Sequence, residues 1–279
     1  MIKKLLFSLI ILLLLSGCSK TKAKRQHWLA LSRNSWHIIS PGLALGKWDL
    51  EPDLPEPELI ALRFNPEFYR FDLLAASMFE NRRLSARKWQ KKFHKTAIIN
   101  AAMFAEDVLT STSYFRNGRF INNDQFSDYY LMAFVCEPLD PALPSARLID
   151  LHNEDTDLLK KYRQVVCGMR MLSSDAENVW LDKTEKWNEA ALAMDEDGRI
   201  YWLLSLKKYF NYEFIDLCRK MPFNLQYMMH LDGGSPASMF LENDSLLINI
   251  IAGNDVSPRN LRSIFQTHKL PLVLTCSPR

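Results

Sequence analysis

The sequence predicts an α/β or α+β fold, a single domain around a mixed β-sheet with flanking helices. Three observations carry that expectation. The chain alternates short apolar runs with at least two amphipathic helical segments. A hairpin signal, Asp195-Glu196-Asp197-Gly198, sits between two apolar runs, and Asp-Gly is a strong turn pair. No repeat, low-complexity tract or long linker divides residues 27–279, so strands and helices mix within one unit.

The elements follow in order. Pro52, Pro55 and Pro57 punctuate one early loop, and Leu59–Phe64 (LIALRF) then reads as a strand. Ser85 is placed to cap a helix over Ala86–His94, with Trp89 and Phe93 four apart on its buried face. Thr96–Asn100 (TAIIN) is a short apolar strand ending on a polar residue. Pro138, Pro141 and Pro144 mark a second surface loop. Ala190–Met194 and Ile200–Leu204 form the arms of the Asp-Gly hairpin. A helix over Tyr212–Met221 stops before Pro222, which lacks an N–H to continue it. Leu225–Leu231 is a strand that runs straight into Asp232-Gly233-Gly234.

The N-terminus reads as an address. Lys3 and Lys4 precede the apolar run Leu5–Leu15, which would span only ~16 Å as a helix, about half of what a bilayer core requires. It is therefore a signal segment. Leu15-Ser16-Gly17-Cys18 resembles the lipobox of bacterial lipoproteins, which implies lipidation of Cys18. Residues 1–17 are then a lipoprotein signal peptide, 18–27 a lipidated tether and 28–279 the domain. Ser19, with no Asp after the cysteine, resembles the pattern sorted to the outer membrane. The expected location is the bacterial cell envelope, with the membrane reached through N-terminal acyl chains.

Removing Lys3 and Lys4 from the 35 basic residues leaves 33 against 32 acidic ones. That balance excludes a basic-stripe nucleic-acid binder. Beyond Cys18, the four cysteines at 136, 167, 218 and 276 form no CxxC pair. In an oxidising compartment they permit two disulfides in any of three connectivities, or remain buried thiols.

Chemistry concentrates at His230-Leu231-Asp232-Gly233-Gly234-Ser235-Pro236-Ala237-Ser238. A carboxylate at a strand end, followed by two glycines, lets backbone N–H groups approach a ligand closely. This stretch resembles the LDGG signature of the phosphodiester glycosidase family, in its bacterial lipoprotein branch. Trp36–Gly42 (WHIISPG), Asn100–Phe104 (NAAMF), Cys167–Leu172 (CGMRML) and Trp187–Ala191 (WNEAA) resemble four further family motifs in order, over roughly residues 36–275. The chain has Glu189-Ala190 where better-known members have Arg-Thr, and Ala101 and Ala102 where they have glycines.

The resemblance implies a hydrolase of sugar-1-phosphodiesters acting on a surface or envelope glycan. Such chemistry needs an acid or a charge-neutralising group at the leaving phosphate, and a base or nucleophile across the anomeric carbon. Asp232 and Glu189 are the candidate catalytic carboxylates. Arg170 is the nearest cation for phosphate, and Asn100, Glu106, Gly233, Gly234 and Ser238 are candidate substrate-binding residues. Trp180 and Trp187 are able to stack on sugars, whereas Trp202 and His230, on apolar strands, read as core. No cofactor is implied with certainty, and a divalent cation such as calcium is compatible although no ligand set is legible. The altered Arg-Thr position leaves a second reading open, a non-catalytic glycan-binding lipoprotein serving polysaccharide assembly or export.

Overall fold

The computed structural model describes residues 26–51, 57–181, 184–244, 246–252 and 268–279. The signal peptide, Cys18 and most of the tether lie outside the described residues, as do Pro52 and Pro55. Strands come first along the chain: β1 (Gln26–His27), β2 (Ser35–Ser40), β3 (Leu43–Trp48), β4 (Leu59–Phe64) and β5 (Tyr69–Ala75). Helix α1 (Ala86–Phe93) leads to β6 (Ala97–Asn100), β7 (Phe115–Asn117), β8 (Phe120–Asn123), β9 (Met132–Pro138) and β10 (Ala146–Asp150). Then follow β11 (Tyr162–Gly168), β12 (Arg170–Leu172), β13 (Trp187–Asp195) and β14 (Ile200–Tyr209). Helix α2 (Asn211–Arg219) precedes β15 (Leu225–His230), β16 (Ser238–Glu242), β17 (Leu246–Ile251) and β18 (Leu272–Pro278).

The strands form three sheets, not one mixed sheet. A seven-stranded sheet has the order β12-β15-β13-β14-β4-β3-β2, a six-stranded sheet β1-β17-β16-β6-β18-β5, and a five-stranded sheet β10-β9-β11-β7-β8. Among the described residues only β1 with β17 pairs in parallel, made by two residues that the sequence assigns to the tether. The fold is thus mostly antiparallel β, 46% strand and 12% helix, in a single domain.

One shared core explains the single domain. Phe64 of β4, Trp202 of β14, Phe71 of β5 and Phe134 of β9 interlock with ring centroids 4.7–6.3 Å apart. Those four rings come from all three sheets, and the same core takes in Ile99 and Met229. Each outer face has its own cover. Trp89 of α1 packs on Ile98, Phe240 and Val273 of the six-stranded sheet, and its Nε1 donates to the Leu270 carbonyl at 3.1 Å. Phe214, Ile215 and Cys218 of α2 pack on Ala191, Ala193 and Met228 of the seven-stranded sheet.

Both helices form where the sequence places them, with ends shifted by one or two residues. His94 closes α1 in the left-handed conformation, at φ 52°, a common way to end a helix. The four cysteines at 136, 167, 218 and 276 are buried free thiols, the second of the two cysteine alternatives.

Candidate active site

Strand pairing assembles the site. Ala191 on β13 lies opposite His230 on β15, so their side chains share a face. Side chains alternate along a strand, which brings Glu189, two residues before Ala191, to that same face. A bulge aims it inward: Asn188 faces Lys208 but Ala190 faces Leu204, so β14 has two extra residues opposite Glu189. Ser205 in that bulge accepts the Glu189 backbone N–H at 2.6 Å and donates its hydroxyl to the Lys207 carbonyl at 2.8 Å.

The Glu189 carboxylate is fully buried, and neither oxygen has a hydrogen-bond partner. Its one compensating neighbour is His230, whose Nδ1 lies 3.1 Å from Oε2 but out of line for a hydrogen bond. A buried carboxylate without hydrogen bonds is costly unless a partner faces it, and His230 is the side chain that does so. Asp232 follows His230 by two residues. Burial pushes its carboxyl up to about 6, against the lowering effect of His230 and with a further rise from Glu189.

The loop carrying Asp232 is clamped from another sheet. Asn100 at the end of β6 donates Nδ2 to the Asp232 carbonyl at 2.9 Å and accepts the Ser238 N–H at 3.2 Å. Gly234 donates its N–H to the Asn188 carbonyl at 2.8 Å and adopts φ +66°, a conformation that favours glycine. A Cβ on Gly233 would sit 3.0 Å from the Asn188 carbonyl, and one on Gly234 3.3 Å from the Trp187 ring. The two glycines therefore let the loop lie flat between β13 and that indole.

Above the carboxylates is a cleft of about 360 Å³, walled by Trp187, Trp180, Met103, His230, Asp232 and Gly233, with Asn211 of α2 at its edge. Trp187 is 43% exposed, and the Trp180 and His230 rings are 5.5 Å apart. Two accessible indoles beside ionisable groups suit a sugar, which offers apolar C–H faces and polar edges.

Among solved structures, the catalytic domain of zebrafish N-acetylglucosamine-1-phosphodiester alpha-N-acetylglucosaminidase, auto-inhibited by its pro-peptide, is similar with a TM-score of 0.60. That similarity covers 89% of this chain and 87% of that one at 12% identity. This chain shares its fold. A hypothetical protein from Synechocystis is also similar, with a TM-score of 0.57 and 10% identity over 88% of this chain. The chain spans 61% of that protein's length. No family model and no curated protein matches the sequence.

Of the residues singled out from the sequence, Asp232 and Gly233 line the cleft, with Gly234 and Glu189 directly behind. Asn100 is 2% exposed and holds the loop, so its amide is not turned to a sugar. Ser238 is buried, its hydroxyl unpartnered and away from the cleft wall. Arg170 does not join the site. It pairs with Met229 across β12 and β15, which puts it on the face opposite His230. There its Nη1 donates to both carboxylate oxygens of the fully buried Asp150, at 3.0 and 3.2 Å. Glu106 is exposed on the loop after β6 and does not line the cleft.

His230 is buried at 7% exposed, as a core histidine is, and it also lines the cleft and faces Glu189. The signal was its phase: two residues before Asp232, it shares that carboxylate's side of the strand. Among the described residues no group of three His, Cys, Asp or Glu is arranged to hold a metal. Calcium takes six to eight oxygens, and the cleft's ionisable groups do not fit it.

Proposed function

We propose that the protein is a phosphodiester glycosidase, a hydrolase that cleaves a sugar-1-phosphodiester in a glycan of the bacterial cell envelope. The observation that carries the reading is the meeting of Asp232 and His230 in a tryptophan-walled cleft with Glu189 buried behind them, on a fold shared with a phosphodiester glycosidase catalytic domain.

The geometry divides the roles. Glu189 is too buried to meet substrate and acts as a positioning residue behind the His230 ring. The His230 ring lines the cleft and offers a ring N–H to the leaving phosphate, a task for which the described cleft wall offers no Lys or Arg. Asp232, ionised above about pH 6, takes a proton from water as the water oxygen bonds to the anomeric carbon. The electron pair of the C1–O bond leaves with the phosphate oxygen. A phosphate needs little help from a proton donor, so a hydrogen-bond donor at the leaving group and a base at the water are the two demands met. Trp187 and Trp180 flank the sugar. Cys18, by its lipobox, anchors the chain to the membrane.

The test is turnover of a chromogenic sugar-1-phosphodiester by the full chain in detergent. Asp232→Asn is expected to lower kcat at least ~100-fold, the usual worth of a general base, and His230→Gln to lower kcat more than it raises KM. One observation favours the second reading, a non-catalytic glycan binder: Glu189-Ala190 replaces the family's Arg-Thr. No turnover by the native chain, with glycan binding that survives Asp232→Asn, would establish it instead.

A further inference from the structure

A second cavity, of about 470 Å³, opens at one end of the five-stranded sheet, between the segment joining β8 to β9 and the turn after β10. We infer that it is a second saccharide subsite, which holds sugar units of an oligosaccharide on the far side of Met103 from Asp232. This rests on the glycan reading of the cleft for its substrate class, but on separate residues for its evidence.

The floor of the cavity is an aromatic platform. Phe126 lies parallel on Tyr114, with centroids 4.4 Å apart and planes 9° from parallel. One face of the Phe126 ring is covered by Tyr114, while the residue remains 58% exposed, so the other face is open. An exposed phenylalanine fixed by stacking is poorly explained by folding, since it is barely removed from water. The neighbouring Tyr129 is 82% exposed. Its backbone is pinned: Asn123 Oδ1 accepts the Gln125 N–H at 2.9 Å, and the Ser127 carbonyl accepts the Tyr130 N–H at 3.0 Å. A pre-ordered platform costs little further entropy on binding.

The rim supplies the polar partners. Asp128 and the exposed Lys160–Asp157 pair, 2.6 Å apart, stand around the platform. Flat apolar floor and hydrogen-bonding rim are the two halves of a pyranose: C–H faces to stack, hydroxyls at the edge to donate and accept. Charges of both signs at the rim do not suit an acyl chain. The cavity also shares a wall with the cleft, because the Tyr130 hydroxyl donates to Met103 Sδ at 3.6 Å and Met103 lines the cleft beside Asp232. A glycan seated by its terminal sugar between the tryptophans continues past Met103 onto Phe126.

The experiment is binding, with no turnover required. The full chain in detergent is applied to an array of peptidoglycan, lipopolysaccharide-core and capsular oligosaccharides, and the strongest glycan is titrated calorimetrically as di-, tri- and tetrasaccharide. The expected result is at least tenfold tighter binding of the tetrasaccharide than the disaccharide. Phe126→Ala and Asp128→Asn each remove that length dependence, and both side chains are exposed enough that folding is not at risk. No bound glycan, or a length dependence that survives in both variants, overturns the inference. If the hydrolase reading fails, no phosphodiester is cleaved, and these binding isotherms remain readable on their own.

Discussion

Replacing Asp232 with asparagine is expected to stabilise the fold at neutral pH while removing activity, and the size of the gain follows from the site. The Asp232 carboxyl binds its proton at about 6 in the folded protein and near its ordinary 3.8 when exposed. The folded state therefore holds this proton more tightly than the unfolded state does. Below pH ~4 both states are protonated and the carboxyl contributes nothing to the difference. As pH rises through the window between those two values, the unfolded chain ionises first and stability falls. Above about pH 6 the full cost is present, about 3 kcal/mol at ~1.4 kcal/mol for each tenfold difference in proton affinity. Asparagine carries no charge at any pH and escapes that cost. For a chain of this size ~1 kcal/mol moves Tm by ~2–4 °C, so Asp232→Asn is expected to melt ~6–12 °C higher at pH 7.5. The assay is thermal unfolding of both proteins by circular dichroism at pH 4, 5, 6 and 7.5. Differences between the two cancel every other titrating group. Equal melting at pH 7.5, or a gap that does not close between pH 6 and 4, would refute the assignment of Asp232 as a buried, destabilised carboxylate.

Three further outcomes are expected. Asn100→Ala removes two hydrogen bonds from the loop at 232–238 and leaves buried backbone groups unpaired. It should cost ~2–4 kcal/mol in denaturant titration and lower turnover in the protein that remains folded. Arg170→Met removes the cation that faces the buried Asp150 carboxylate, which keeps only its hydrogen bonds from His152, Asn153 and Ser174, and should cost ~3–5 kcal/mol. A specific rise in KM for the phosphodiester would instead return Arg170 to the site. Burial pushes the thiol of Cys167 up to about 12 and that of Cys136 well above the ordinary range. All four thiols of the domain should thus resist a disulfide reagent in the native protein and react in denaturant, and protection that persists in denaturant would indicate disulfides.

The features legible in the sequence were those governed by near neighbours. The helices at 86–93 and 211–219 announce themselves through spacing and a following breaker, and the 195–198 hairpin through its Asp-Gly turn. The five-stranded sheet was not legible. Its inner strand Met132–Pro138 begins with five consecutive buried residues because core covers both of its faces, and such a run lacks the alternation that marks a strand. The seven-stranded sheet was legible in part, through the runs Leu59–Phe64, Ala190–Met194, Ile200–Leu204 and Leu225–Leu231, although it is buried under α2 on one side and against the shared core on the other. Site residues divide along the same line. Asp232 and its glycines stand at a strand end that local pattern reveals. Asn100 is visible as a strand end too, but its partner lies 132 residues away, and no local pattern says whether an amide faces a ligand or a carbonyl. Arg170 looked available because its partner, Asp150, is on a different sheet.

That long-range clamp has a kinetic consequence. Asn100 reaches across the molecule to residues 132 and 138 positions later in the chain, and contacts of such sequence separation form slowly because the intervening chain must first be ordered. Of the strands that flank Asp232, β16 closes early as a hairpin with β17, whereas its pairing with β6 is as long-range as the clamp itself. A refolding chain is therefore expected to regain its β-sheet signal before its carboxylate is held in place, with function returning last. The interval between those events is when an unfinished protein would already look folded yet have no working cleft.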